Sequence, residues 1–155
     1  MPAVTGRAAG FIATLYFSDS VISTKDAATL ASATASQFKV KDVADMGALS
    51  KNRNIIDIPV YGEDVASKLP GQADPGTFDF NITFNMDDVL HKSLRDDDGK
   101  TPHTFIIKFT QGANATFAAF DGYIAMADAG LPLDDRIQMD ISVARDGGVT
   151  WVDAA

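Results

Sequence analysis

Phe78, Phe80, Ile82 and Phe84 alternate with Asp79, Asn81 and Thr83, a period of two that fits a strand with one apolar and one wet face. Ile137, Met139, Ile141 and Val143 alternate with Gln138, Asp140 and Ser142 in the same way. Phe105, Ile107 and Phe109 precede Gln111-Gly112-Ala113-Asn114, a turn from which Thr116 to Met126 returns as the second arm of a hairpin. In that return strand Phe120, Ile124 and Met126 face one side and Phe117 and Tyr123 the other, so both faces call for cover. A further hairpin is expected to turn at Asp146-Gly147-Gly148 and return through Val149, Trp151 and Val152. The chain is therefore expected to be mainly β: an antiparallel sandwich or partly closed barrel.

Composition agrees with this. Every acidic residue except Glu63 is aspartate, which favours turns and caps over helix interiors. One helix is signalled, from about Asp87 to Arg95, with Asp87 or Asp88 as cap and Leu90 and Leu94 on one face. Lys92 and Arg95 suit the negative end of its dipole, and Asp96-Asp97-Asp98-Gly99 stops it. Ser18 to Ser36 is rich in Ala, Ser and Thr without periodicity and is expected to be a mobile or assembly-ordered connector. The apolar run Ala8 to Phe17 is too short to span a bilayer and reads as a buried strand. A length of 155 residues with 46% hydrophobic content suits one globular domain. Without cysteine, neither a disulfide framework nor a Cys-based metal site can form. The net charge of -8 repels phosphates at long range and argues against nucleic-acid binding through a basic patch.

Between Met46 and Asp88 the chain departs from short connections. It reads as a strand from Asn54 to Tyr61, a polar excursion from Gly62 to Gly76, and a strand from Thr77 to Asn85. A loop of that length points to function, disorder or contact with another chain.

The wording of this stretch carries a resemblance. Gly47-Ala48-Leu49-Ser50-Lys51-Asn52-Arg53-Asn54, then Ile55-Ile56-Asp57-Ile58, then Lys68-Leu69-Pro70-Gly71-Gln72-Ala73-Asp74-Pro75-Gly76 leading into Phe78 to Phe84, resemble the tail tube (major tail) proteins of long non-contractile tailed bacteriophages of the lambda-like type. The likeness spans roughly residues 40 to 150. It implies a single tail tube domain over residues 1 to 155, a β-sandwich or partly closed barrel with one flanking helix. It further implies hexameric rings whose strands pair across subunit boundaries, and stacking of rings into a conduit for genomic DNA. Its partners would be other copies, the tape measure, tail tip and tail terminator proteins, and passing double-stranded DNA without specific binding. The place would be the virion tail, after synthesis in the bacterial cytoplasm, with no membrane partner and no cofactor. Under this resemblance Lys51, Arg53, Tyr61, Glu63, Asp64, Leu69, Pro70, Asp74 and Pro75 are candidates for the ring–ring interface. Asp79, Asn81, Gln138 and Asp140 are candidates for the lumen.

Catalytic chemistry finds little purchase. His91 and His103 lack a Ser-His-Asp or His-x-x-x-His setting, so surface or satisfied core positions are the better reading. Asp96 to Gly99 lacks the alternating aspartates and distal glutamate of a calcium loop, and Asp134-Asp135 reads as a turn before a strand. Asn114-Ala115-Thr116 is a weak sequon match. Trp151, between Val149 and Val152, is expected to pack rather than to stack on a ligand. Lys51-Asn52-Arg53 is either a solvated loop tip or half of a salt bridge to a neighbouring copy. The competing function is a β-sandwich module of a virion or secreted protein that binds a carbohydrate or receptor; an enzyme on the same fold would need a catalytic set that is not visible.

Overall fold

The computed structural model describes residues 13–49, 52–62, 64–65, 67–111, 114–131 and 137–154. Six antiparallel strands form one curled sheet: β1 (Ala13–Ser18), β2 (Val43–Met46), β5 (Thr77–Thr83), β6 (His103–Gln111), β7 (Asn114–Gly130) and β8 (Gln138–Ala154). Their order across the sheet is β1-β6-β7-β8-β5-β2. β3 (Asn52–Ile58) and β4 (Ser67–Asp74) pair, among the described residues, only with each other, as a separate two-stranded sheet.

The alternations translate directly into layers. Phe78, Phe80 and Ile82 of β5 and Met139, Ile141 and Val143 of β8 face one core, with Phe105, Ile107, Phe120 and Ile124. α2 (Val89–Arg95) closes that core with Leu94 and Leu90. Its cap is Asp88, whose carboxylate accepts from Leu90 N at 2.9 Å. The opposite face of the sheet carries a second, smaller core of Tyr16, Ile106, Phe117 and Ala119. Leu15, Tyr16 and Phe17 are consequently buried in succession, as a strand between two covered faces must be. Residues 8–12 of the expected apolar strand lie outside the described residues.

Part of the cover on the second face comes from within the chain. The stretch 18–36, expected to be a connector, contains α1 (Ala27–Ala33), followed by a 3-10 turn at Ser36–Phe38. Leu30 is the only helix residue fully buried; Ile22, Ala33 and Phe38 pack beside it. One apolar anchor per helix produces no periodicity, which is why the pattern concealed it. A polar latch holds the segment down. Lys25 Nζ donates to Asp121 Oδ2 at 3.2 Å and to Ile22 O at 2.8 Å, while Thr104 Oγ1 donates to Asp121 Oδ1 at 2.7 Å.

Asp26 caps α1 by accepting from Thr29 N. The backbone amide of Thr29, then its side chain, hold the Asp26 carboxyl below its usual value, and Lys100 and Thr101 amides do the same for Asp98. A depressed folded pKa means stability that is present above the unfolded value and lost as pH falls through the folded one. Thermal midpoints are therefore expected to drop on acidification below the ordinary carboxylate range. Asp26→Asn, which keeps an acceptor but not the charge, should drop less than wild type.

Two further expectations are corrected. Asp146-Gly147-Gly148 does not turn the chain. β8 runs on, pairing Asp121 with Asp146 and then Ala119 with Thr150, so the extra residues form a bulge with Gly147 at φ 88. Turn-forming residues serve a bulge equally well, because both need a left-handed glycine. A second register shift lies between Ile124 and Met126. Bulges of this kind bend the paired strands and increase their twist, in keeping with the curl of the sheet. The polar excursion 62–76 is likewise not a loop throughout: Ser67–Asp74 is β4, folded back on β3 as an arm.

Candidate functional site

The four residues expected on a wet face come together there. Asn81 pairs directly with Asp140, Thr83 with Gln138, and Asp79 with Ser142. Directly opposed residues share a face, so Asp79, Asn81, Gln138 and Asp140 all lie on the side away from Phe80, Ile82, Met139 and Ile141. Asn81 Nδ2 donates to Asp140 Oδ1 and lies 3.5 Å from Gln138 Oε1. Register adds two residues that alternation did not show: Asp45 of β2 opposes Asn81, and Asp128 of β7 opposes Asp140. Asp45, Asn81, Asp140 and Asp128 thus form one row across four neighbouring strands. Asp140 and Asp128, two like charges, face each other in it, an arrangement that costs stability.

This four-stranded section, β2-β5-β8-β7, has open sides. Among the described residues β2 pairs with β5 alone, and β6 stops pairing with β7 at Gly122. Beyond Ile124, where the loop at Gly99 comes close, Ala125 to Gly130 are exposed and pair only with β8 among the described residues. Such edges are templates for another strand.

The β3–β4 arm carries the remaining candidates. Ile56 opposes Leu69, and Ile58 opposes Ser67, giving one apolar stripe; the Asp57–Lys68 ion pair at 3.1 Å marks the other face. Ile56, Ile58 and Leu69 are 50, 41 and 50% exposed. Pro70 is tolerated in β4 because the strand is an edge. Arg53 Nη1 donates to Gly71 O at 3.1 Å within the arm, so it braces the hairpin. Tyr61 at the tip is fully exposed, Asp64 and Asp74 are exposed, and Pro75 is half-buried at the root. Lys51 and Glu63 lie outside the described residues. At the root Asp74 Oδ1 accepts from Gly76 N, and Arg145 N donates to Gly76 O at 3.1 Å. Burial lowers the pKa of the Arg145 guanidinium, and the charge of Asp74 partly offsets this.

The histidines are bound structurally. His91 is fully buried, its Nδ1 accepting from Asn85 N at 3.0 Å and its Nε2 donating to Lys41 O at 2.7 Å. His103 Nδ1 donates to Asp19 O, and its Nε2 lies 2.5 Å from Asp97 Oδ1. Asp97 is therefore tucked in rather than solvated. Asp98 accepts from Lys100 N and Thr101 N, and Asp96 binds Arg95. No cluster of acidic and histidine ligands suited to a metal occurs among the described residues. Gly112, Ala113, Asp134 and Asp135 lie outside them. Trp151 departs from expectation: it is 58% exposed and stacks on Phe109 at 6.0 Å, while Val149 and Val152 pack inward.

Solved structures of the same shape give this architecture its name. The chain matches the SPP1 tail tube with a TM-score of 0.64 over 96% of its length and 80% of that chain, at 12% identity. This chain has the tail tube fold. The same tail tube fold matches a chain of the sheath/tube terminator of an extracellular contractile injection system, PVC, with a TM-score of 0.70 over 96% of this chain and 99% of that one, at 11% identity. A chain of the PVC sheath-tube complex matches at 0.65 over 96% and 93%, at 12% identity. No known family profile and no curated protein sequence matches the chain. The fold expected from the residues around the Leu69-Pro70-Gly71 segment is therefore the one observed, with two α-helices among the described residues where one was expected. Among the described residues no helix is long and apolar enough to cross a membrane.

Proposed function

We propose that the chain is a structural subunit of a tail tube, which assembles into hexameric rings that stack into a conduit for genomic DNA. The observation that carries this is the pair of open edges flanking β2-β5-β8-β7. Pairing the Ala125–Gly130 edge of one copy with the β2 edge of the next continues the sheet around a ring and leaves neither edge exposed. Asp128 of one copy then neighbours Asp45 of the next, and the acidic row becomes a closed belt with Asp79 and Gln138 beside it. Facing the lumen, that belt repels the DNA backbone, so DNA slides without sticking. The β3–β4 arm supplies contact between rings through Arg53, Tyr61, Leu69 and their neighbours. The chain would work in the virion tail with tape measure, tip and terminator proteins, after synthesis in the host cytoplasm.

Negative-stain microscopy and sedimentation velocity over a concentration series test this. Hollow tubes are the expected product; a monomer at all concentrations, even with a tail-tip initiator, would favour the carbohydrate- or receptor-binding module. Rings that never stack would favour a capping subunit, a reading to which the likeness to the PVC sheath/tube terminator lends weight. In tubes, Asp79→Lys with Asp140→Lys should retain DNA and slow its ejection. Normal ejection by such tubes would remove the lumen assignment.

A further inference from the structure

The sheet curls into a half-barrel, and its two outer strands, β1 and β2, bound a cleft of about 920 Å³. Leu15, Val43, Ile107, Phe109 and Trp151 form the apolar part of its wall. The half-buried Thr14 and the exposed Lys39, Asp42 and Asp45 form the polar part. An indole with 58% of its surface in water, stacked on Phe109, marks apolar wall that lacks a cover among the described residues. Ala13, the first described residue, is itself part of this wall. We infer that the cleft is filled by the chain's own residues 1–12, with Phe11 entering beside Phe109 and the residues before it lying over Trp151.

Strand register brings this segment to the cleft. Ala13 opposes Phe109 on β6, yet β6 runs on through Thr110 and Gln111, which pair with β7 and have no partner on the β1 side among the described residues. Two more residues of β1, Ile12 and Phe11, supply that partner. Alternation then fixes their faces. Leu15 and Phe17 belong to the main core and Ala13 packs against it, so Phe11 falls on the same side as Phe109. Gly10 comes next and has the backbone freedom to reverse the chain. The stretch from Met1 to Ala9 reaches about 30 Å when extended, enough to cross back over the cleft. Its chemistry suits the wall. Met1, Val4, Ala8 and Ala9 are apolar, and Arg7 is the only charged side chain in the segment. The border it meets has an acidic balance, Asp42 and Asp45 against Lys39. Attachment to the wall at Ala13 also gives the segment a high effective concentration in a lone subunit, which any separate molecule would have to match.

The test uses the full chain as a lone subunit, so its outcome does not depend on tube formation. Trp151 is the sole tryptophan and reports on the cleft directly. In dilute, unassembled protein its emission should be that of a covered indole. Phe11→Ala should shift that emission to the red and raise acrylamide quenching several-fold. A wild-type indole as quenchable as that of Phe11→Ala would overturn the inference. Protection that arrives only on assembly would also overturn it, because the occupant would then belong to another copy. The chain has no cysteine, which allows a nitroxide to be attached at a single chosen site. At Ala8→Cys the nitroxide should quench Trp151 within the lone subunit. At Leu131→Cys, just past the end of β7 remote from the Ala118–Trp151 pair, it should not. Because this second measurement keeps Phe11, it decides the matter even where Phe11→Ala fails to fold. Quenching no stronger from Ala8→Cys than from Leu131→Cys would place the segment away from the cleft.

Discussion

Replacing Ile56 and Ile58 together by aspartate should abolish tube formation while leaving the subunit as stable as wild type. The separation of the two effects follows from the topology. β3 and β4 pair with each other and with no strand of the six-stranded sheet, and neither residue belongs to either hydrophobic core. Both are already half exposed, so the charge meets water in the free subunit and its cost there falls within the usual surface range of about 0.5 kcal/mol. In an assembled interface the same carboxylates would be taken out of water without partners. That costs several kcal/mol per ion, repeated at every subunit of the polymer. Thermal denaturation checks the first half of the expectation and microscopy the second. Tubes of normal length from the doubly charged variant would show that the arm does not carry the contact. A matched loss of subunit stability would show that the arm belongs to the folded body.

How far the sequence foretold this depended on whether the signal was local. β5 announced itself because Phe78, Phe80 and Ile82 are buried while Asp79 is exposed, and an alternation needs no knowledge of the partner strand. The same holds for β6 and for the Leu90–Leu94 face of α2. α1 stayed hidden because Leu30 is its only fully buried residue. The arm was hidden because Pro70, Gly71, Pro75 and Gly76 weight the segment toward loop, whereas β4 exists by pairing with β3. Asp146-Gly147-Gly148 carried genuine turn chemistry, and only the long-range pairing of Thr150 with Ala119 shows that the strand continues. The candidate lumen residues were legible as a wet face. The full row was not, because Asp45 and Asp128 join it through register, a property of two strands far apart in the chain.

Gly122→Ala should cost about 3 kcal/mol, while Gly148→Ala should be close to neutral. Gly122 is buried in β7, between His103 of β6 and Arg145 of β8. A Cβ there would lie 2.6 Å from Val143 Cγ1 and 2.8 Å from Ala144 O. Neither neighbour can yield easily: Val143 is fully buried in the main core, and Ala144 O is backbone within a strand paired on both sides. At Gly148 a Cβ meets nothing within 4 Å, so the bulge accepts it. Against a total stability of about 5–15 kcal/mol, the first loss is severe. Gly122 is also the last residue of β7 that β6 covers, the point from which the strand runs on to its open edge. Any shift that relieves the clash moves Ala125 to Gly130. Gly122→Ala subunits that remain folded should therefore also assemble poorly, even at temperatures well below their melting point. Denaturant titration of both variants checks the stability difference. Tubes formed at wild-type concentration by folded Gly122→Ala protein would show that this edge is not where the ring closes.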